Sequence, residues 1–493
     1  MTPIKQTRSV CPECLKVIDA SLYEEDGKVY IEKECPEHGK VKELYWSDID
    51  QYQRARKYSS IGGGVKNPQT PIAHGHPFDC GLCPNHKSTP SLGIIDVTNR
   101  CNLKCPICFA NANVTGTVYE PSKEQIQNML KTLRGIQPIP PDGLQLSGGE
   151  PTVREDLPEI VRMAKESGFD HIEINTNGIQ LASSTDYCKE LLDAGVSTIY
   201  LQFDGIRPEI YLTTRGVPLW ETKLKAIDNC RKSGIDSIVL VPTIVKGVND
   251  DQLGPIIDFA HENFDVIRCV NFQPVSITGR ISYEKRKDMR ITIPDCTRLI
   301  EEQTGGRIKV SDFYPVPVVV PVARAVGAIK DRRYPEFTVH EHCGVATFLL
   351  ENEGNLVPIT RFADVDGLMD SMNGIYESAS KGAKAKAKVQ LVSSSLRNVK
   401  LGFMKQLAGA VFQEGSYDSL GNFMRRVLMI GMMHFQDLYN FDLERLERCG
   451  IHYATPDGRI IPFCAMNSIY RPRIEKAFSV PMKEWQKQKQ KSE

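Results

Sequence analysis

The sequence has no excess of charge of either sign: 61 Lys plus Arg balance 61 Asp plus Glu, for a formal net charge of zero. Without a basic field, phosphate-backbone binding loses its long-range driving force, and nucleic acid is excluded as a default partner. No run reaches the ~18 apolar residues that a membrane span needs. The opening residues, MTPIKQTRSV, also lack the apolar stretch of a secretory signal. A cytoplasmic protein is expected, with peripheral membrane contact as the furthest it goes towards a bilayer. Disorder and collagen-like order are excluded by 41% hydrophobic and 25% charged residues over 493. At ~150 residues per domain, such a chain makes two to four domains.

What is present in quantity is cysteine. Fifteen in a long chain without a signal, an odd number, argue for metal or iron–sulfur ligation over disulfides.

Three zones separate along the chain. In 91–280, β-branched runs alternate with amphipathic helical patterns. Strands are expected over 93–100, 143–147, 171–175, 198–203, 237–245 and 267–275, with helices over 122–135, 154–168, 185–195, 220–234 and 250–264. Six strands separated by helices imply an α/β fold with a parallel sheet and right-handed crossovers, here a partial (β/α)6 barrel. Its chemistry belongs at the C-terminal strand ends. Residues 1–90 form a Cys-rich metal-binding module and linker, and 281–493 a C-terminal α+β domain. This last zone holds the apolar, Pro-punctuated stretch 314–329, the mixed basic and apolar stretch 396–412 and a Met cluster of Met424, Met429, Met432 and Met433. It also contains an internal echo: Cys343-Gly344 and Cys449-Gly450 each lead into an acidic-Gly turn at Glu353-Gly354 and Asp457-Gly458, as in a β-hairpin, and only the second ends in a cysteine, Cys464.

The central motif is Cys101-Asn-Leu-Lys-Cys105-Pro-Ile-Cys108, directly after the first barrel strand. Three neighbouring thiolates can hold three irons of a 4Fe-4S cluster, leaving the fourth iron open to a non-protein ligand. The alternative is a zinc loop with a distant fourth ligand. A second metal site is signalled by Cys11-Pro-Glu-Cys14 and Cys35-Pro-Glu-His38, two knuckles spaced as in a zinc ribbon or a rubredoxin-like iron site. His38 or a distant thiolate such as Cys80 is its fourth ligand. Cys188 and Cys230 lie in amphipathic helices and read as small buried hydrophobes.

With a three-Cys loop after strand one and Ser147-Gly148-Gly149-Glu150-Pro151 at the end of strand two, the chain resembles the radical S-adenosylmethionine (SAM) superfamily. The resemblance implies that Gly148, Gly149 and Glu150 receive the methionyl amino group. The glycines would let the ligand approach the backbone, and Glu150 would supply a carboxylate for the ammonium. Asn175, Asn177, Gln202, Asp204 and Thr243 fall at the rim where the resemblance places ribose and carboxylate contacts. The family's aromatic before the third cysteine is replaced by Ile107, with Phe109 following the cysteine instead. The implied reaction is reductive cleavage of SAM to a 5′-deoxyadenosyl radical that removes hydrogen from an unactivated C–H bond. The Cys449 hairpin resembles half of an auxiliary-cluster module. Cys80 and Cys83 are therefore expected to join Cys343, Cys449 and Cys464 in one or two auxiliary 4Fe-4S clusters.

The runs HPFDCGLCPNH and LGIIDVTNRCNLKCPICFA, with the N-terminal Cys module, further resemble the archaeal tetraether lipid synthase group. That likeness implies C–C coupling of phytanyl termini, a diether phospholipid substrate and a low-potential electron donor such as ferredoxin. The Pro-broken apolar stretch and Met cluster are compatible with a lipid cavity, although a plain core role suits them as well. Members of the same group are also read as methylases of a pterin (methanopterin) precursor, and the Cys motifs do not separate the two activities. A multi-cluster electron carrier is the non-enzymatic alternative; it has no use for Glu150 or the polar rim.

Overall fold

In the computed structural model, residues 3–112, 116–400 and 426–492 are described. The chain opens with an antiparallel meander of β1 (Lys5–Val10), β2 (Val17–Glu25), β3 (Lys28–Cys35) and β4 (Gly39–Trp46). Asp26 and Gly27, both at positive φ, make the two-residue turn between β2 and β3 that matches strand twist. Helix α1 (Ile49–Arg56) follows, its first turn capped by the Asp48 carboxylate, which accepts from Gln51 N–H. The meander docks far along the chain: Thr7 and Tyr45 donate to Asp442 at 2.7 and 3.0 Å, and Glu43 pairs with Arg290 at 3.0 Å.

The barrel runs through β5 (Leu92–Thr98), β6 (Thr117–Tyr119), α2 (Lys123–Arg134), β7 (Gly143–Gly148), α3 (Leu157–Glu166), β8 (His171–Thr176), α4 (Ile179–Ser183), α5 (Thr185–Ala194), β9 (Thr198–Gln202), α6 (Pro208–Arg215), α7 (Trp220–Ser233), β10 (Ile238–Val241), β11 (Thr243–Ile244), α8 (Leu253–Glu262) and β12 (Ile267–Pro274). All six expected strands and five expected helices are present. The run 237–245 is split at Pro242, which has no N–H to give to a ladder, so β10 pairs with β9 and β12 whereas β11 pairs with β12 alone. The helices start and stop where side chains dictate. Ser122 and Gln125 form a capping box on α2, and Gly195 and Gly234 close α5 and α7 in the left-handed region.

Alternation along the parallel strands sorts the two faces. Leu144 and Leu146, Ile172 and Ile174, and Ile199 and Leu201 are buried in the main core. Between them, Gln145, Glu173, Asn175, Tyr200 and Gln202 turn to the opposite face and line a cavity of about 800 Å³.

The region after residue 280 extends the same sheet at both edges. Its strands are β13 (Tyr314–Pro315), β14 (Gly344–Asn352), β15 (Asn355–Pro358), β16 (Val427–Met433), β17 (Ile451–Ala454), β18 (Ile460–Pro462) and β19 (Ser479–Pro481). The sheet order is β13-β14-β16-β12-β10-β9-β8-β7-β5-β17-β18. Both Cys-Gly hairpins form, β14/β15 about Glu353-Gly354 and β17/β18 about Asp457-Gly458. The Met cluster lies on a strand: Met429, Met432 and Met433 belong to β16 and reach the large cavity, while Met424 lies outside the described residues. Of the stretch 396–412, only the end of the helix Lys384–Asn398 and the two residues after it are described. Among the described residues no helix is long and apolar enough to cross a membrane.

Candidate active site

Cys101, Cys105 and Cys108 line one cavity of about 140 Å³ at the C-terminal ends of the barrel strands, together with Phe109, Gly148, Gly149, Glu150, Asn175, Asn177, Gln202 and Thr243. Of the rim residues expected there, Asp204 alone stands back from the wall. Its fully buried carboxylate takes a two-pronged ion pair from Arg215 (2.6 and 2.8 Å) and accepts from the Thr214 hydroxyl and Thr243 N–H. The pair holds the Asp204 carboxyl below its ordinary range despite complete burial.

Two arginines grip the Cys loop through its carbonyls. Arg215 donates to Ile107 O at 3.0 Å, and Arg280, just past β12, donates to Cys105 O at 2.8 Å and Ala112 O at 2.5 Å. Gly279 precedes Arg280 at φ +65, and a Cβ there would overlap the Cys108 and Phe109 carbonyls. Neither arginine nor Gly279 was singled out from sequence; the available signal was Gly-Arg immediately beyond the sixth strand.

The two glycines of Gly148-Gly149-Glu150 serve the backbone as well as any ligand. Gly149 N–H donates to Thr98 O at 2.8 Å and Glu150 N–H to Arg100 O at 2.9 Å, so the end of β7 is laced to the start of the Cys loop. A Cβ on Gly148 would overlap Thr98 O, and one on Gly149 would overlap Arg100 O. The Glu150 side chain is 1% exposed. Its Oε1 accepts from Thr152 N–H, the Thr152 hydroxyl and the Thr176 hydroxyl, and its Oε2 from Asn177 N–H at 2.7 Å. A carboxylate offers about four lone-pair directions, so Oε2 keeps one for a ligand ammonium. Burial raises the Glu150 carboxyl above its ordinary range, with these hydrogen bonds working against it.

Lys223 is a further buried member. Its ammonium donates to Asn177 O at 2.6 Å and Gln202 Oε1 at 2.9 Å, and burial lowers it to about 7. Asn177 Nδ2 in turn donates to Asn102 within the Cys loop at 2.7 Å.

The three thiols suit a cluster. Burial pushes Cys101 up to about 12, and burial also raises Cys105, partly offset by Arg215. Soft donors such as Cys101 and Cys105, held in the thiol form by desolvation, would serve as ligands if a metal took the protons' place. In the N-terminal module, ligand atoms of Cys11, Cys14, Cys35 and His38 all lie within 4.8 Å of one another, which brings His38 into the set in preference to Cys80. His38 hydrogen bonding holds the Cys35 thiol down at about 6.

Of the C-terminal cysteines, Cys464 lies against the cavity of the loop thiols and accepts from Gln436 N–H at 3.4 Å. Arg445 donates to Cys343 Sγ at 3.4 Å and is held further in its charged form by Cys343 and Cys464. Cys449, raised to about 11 by burial, feels the charge of Cys343. Cys80 and Cys83 flank His76 at 3.4 and 3.5 Å, with Cys80 close enough to Cys449 to sense its charge. Phe109 packs at 5.9 Å from Phe463, which stacks on Phe435 at 3.9 Å; these rings border both cavities. Cys188 and Cys230 are buried between α5 and α7 as small core groups, Cys296 is buried in the core, and Cys269 borders the large cavity.

Comparison with known proteins adds the following. The radical SAM superfamily profile matches residues 95–260, and that of the HMPTM N-terminal zinc ribbon domain matches residues 3–47. Over 495 aligned residues, 98% of this chain and 97% of the relative, the chain is 48% identical to 7,8-dihydro-6-hydroxymethylpterin dimethyltransferase of Methanocaldococcus jannaschii. It is 30% identical over 178 residues to the probable GTP 3′,8-cyclase of Methanothermobacter marburgensis, covering 36% of this chain and 55% of that one. Streptococcus suis SuiB, a solved structure, aligns with 45% of this chain and 47% of its own at 20% identity and a TM-score of 0.36.

These findings correct two expectations. Tetraether lipid synthesis, and with it the diether phospholipid substrate, does not stand, because the relative matched from end to end is a pterin dimethyltransferase. The physical reason for the error is that the Cys loops report how a radical is made, and that machinery is common to both activities.

Proposed function

The chain belongs to the radical SAM superfamily, and from that membership we propose that it is a methyltransferase acting on a 7,8-dihydropterin that bears a 6-hydroxymethyl group. The observation that carries this reading is the 48% identity to the M. jannaschii dimethyltransferase across 98% of the chain. By contrast, the likeness to the GTP 3′,8-cyclase covers 36% of the chain.

The enzyme works with a 4Fe-4S cluster and SAM, and with a further metal in its zinc ribbon. Bound together, cluster and SAM supply a 5′-deoxyadenosyl radical able to take hydrogen from an unactivated C–H bond. In this reading Cys101, Cys105 and Cys108 hold three irons, and Arg215 and Arg280 keep their loop in one shape. The Gly148–Glu150 turn takes the methionyl ammonium at Glu150 Oε2. Asn175, Asn177, Gln202 and Thr243 meet the rest of SAM, while Asp204 and Lys223 position them from behind. Phe109, Phe435 and Phe463 exclude water where radical and substrate meet, which protects a reactive species from side reactions. Cys343, Cys449 and Cys464, with Cys80 and Cys83 behind them, hold auxiliary iron. Residues 1–90, 91–280 and 281–493 then divide the work into metal module, radical generator and substrate cover.

The test is product analysis with the reconstituted protein, SAM, a strong reductant, a one-carbon donor and 6-hydroxymethyl-7,8-dihydropterin. Pterin carrying one or two added methyl groups is the expected result. Release of 5′-deoxyadenosine with no change in the pterin's mass would refute the reading.

A further inference from the structure

Beneath the candidate SAM site the sheet carries a carboxylate that the radical chemistry does not use. Glu173 lies on β8 two residues before Asn175, and strand periodicity turns both side chains to the lumen, with Glu173 one layer, roughly 7 Å, deeper. Gln145, its register neighbour on β7, donates to Oε2 at 2.9 Å, and His171 Nε2 lies 3.1 Å from Oε1. Each oxygen is thus held by one neighbour and retains a lone-pair direction. One layer up, Gln202 Nε2 is a buried donor with no partner among the described residues, on a residue that lines both cavities. Across the lumen the wall is apolar, formed by Val318, Met429 and Met433 among others.

The geometry points to Glu173 as the anchor of the substrate's amino-pyrimidinone edge. This inference rests on the pterin reading above and names the residue that would give that site its specificity. A pterin presents two parallel donors there, N3–H and the 2-amino group, which match a carboxylate in the fork geometry that makes charge-assisted pairs selective. With that edge on Glu173, a fused two-ring heterocycle spans one strand layer. Its far ring, carrying the 6-hydroxymethyl group, then comes level with Asn175 and Gln202, beside the cavity of the three cysteines. Gln202 Nε2 faces the acceptors of that far ring, and the polarisable Met side chains pack against the ring face. Tyr200, steadied by Asn271 at 2.5 Å and Gln273 at 3.2 Å, closes the polar side.

The experiment compares wild type with Glu173→Gln in the reconstituted, SAM-loaded enzyme, by equilibrium binding of 6-hydroxymethyl-7,8-dihydropterin and of the 2-oxo analogue that lacks the amino donor. Replacing a charged acceptor in a paired hydrogen bond should weaken pterin binding by about tenfold to a hundredfold and abolish the preference for pterin over analogue, with SAM affinity unchanged. Glu173→Asp, which keeps the charge but draws it back, should fall between the two. Pterin binding and preference equal to wild type in Glu173→Gln overturns the inference and leaves the methyltransferase reading in place. Wild-type enzyme that binds neither compound overturns the reading itself.

Discussion

The chemistry of this site depends on groups that act through the backbone. Arg215 and Arg280 fix two carbonyls of the Cys101–Cys108 loop, at Cys105 and Ile107, and a third just beyond it at Ala112. Gly149 does similar work by omission. Alanine at 149 would push a methyl into the Arg100 carbonyl, so Gly149→Ala should cost about 1–3 kcal/mol and lower both the thermal midpoint and the affinity for SAM; thermal denaturation and SAM titration check it. Lys223 provides a pH signature. It is neutral in the folded chain above about 7, whereas an unfolded Lys stays protonated to about 10.4. Between these values the unfolded state binds the extra proton, so this group's contribution to stability rises with pH. The increase in stability from pH 7 to 9 should therefore be shallower in Lys223→Met than in wild type, measured as the slope of the melting midpoint in matched buffers. Equal slopes would mean that Lys223 remains charged when folded.

Secondary-structure elements differ in how much of them the sequence discloses. Strands β5, β7, β8 and β9 were legible as short apolar or β-branched runs set between helical patterns, and α2 because Ser122 and Gln125 announce its start. The Cys loop, the Gly148–Glu150 turn and both Cys-Gly hairpins were legible for the same reason, since each is specified by residues a few positions apart. The grip of Arg280 on a loop some 170 positions earlier was not, because nothing local to Arg280 distinguishes it from a surface arginine. Asp204 was legible as a polar strand end but not as the buried partner of Arg215, a matter of tertiary packing. The β1–β4 ribbon is the element with the plainest dependence on metal. The four side chains grouped to hold a metal ion, Cys11, Cys14, Cys35 and His38, sit at the two knuckles that precede β2 and β4, and structural sites of this kind contribute directly to folding. Cys14→Ser should remove one equivalent of bound metal and expose the ribbon to protease, with iron at Cys101–Cys108 retained; metal analysis and limited proteolysis measure both.

At the scale of the whole molecule, one sheet borders both the cavity of the three loop cysteines and the proposed substrate chamber. The strands that complete it come from either end of a long detour: β16 closes on β12 and β17 on β5, in parallel in both cases. The segment after residue 280 therefore contributes Phe435, Phe463 and Cys464 to a cavity whose other walls were built more than 150 residues earlier. The cover over the reacting centre thus directly follows two strands, β16 and β18, of the same sheet as its floor, which suits a reaction that must keep water out.

That arrangement also sets the order of events on the ribosome. The strands from β5 to β12 emerge with both borders of their sheet unpaired, and the residues that seal them, 427–433 and 451–454, are made only long after β12. Until then two rows of backbone donors and acceptors stand open to any passing strand, and closing the sheet requires contacts across most of the chain's length, the slowest kind to form. A nascent chain of this enzyme stays an unfinished sheet until those strands are made, and its need for chaperones should be greatest just before residues 427–454 appear.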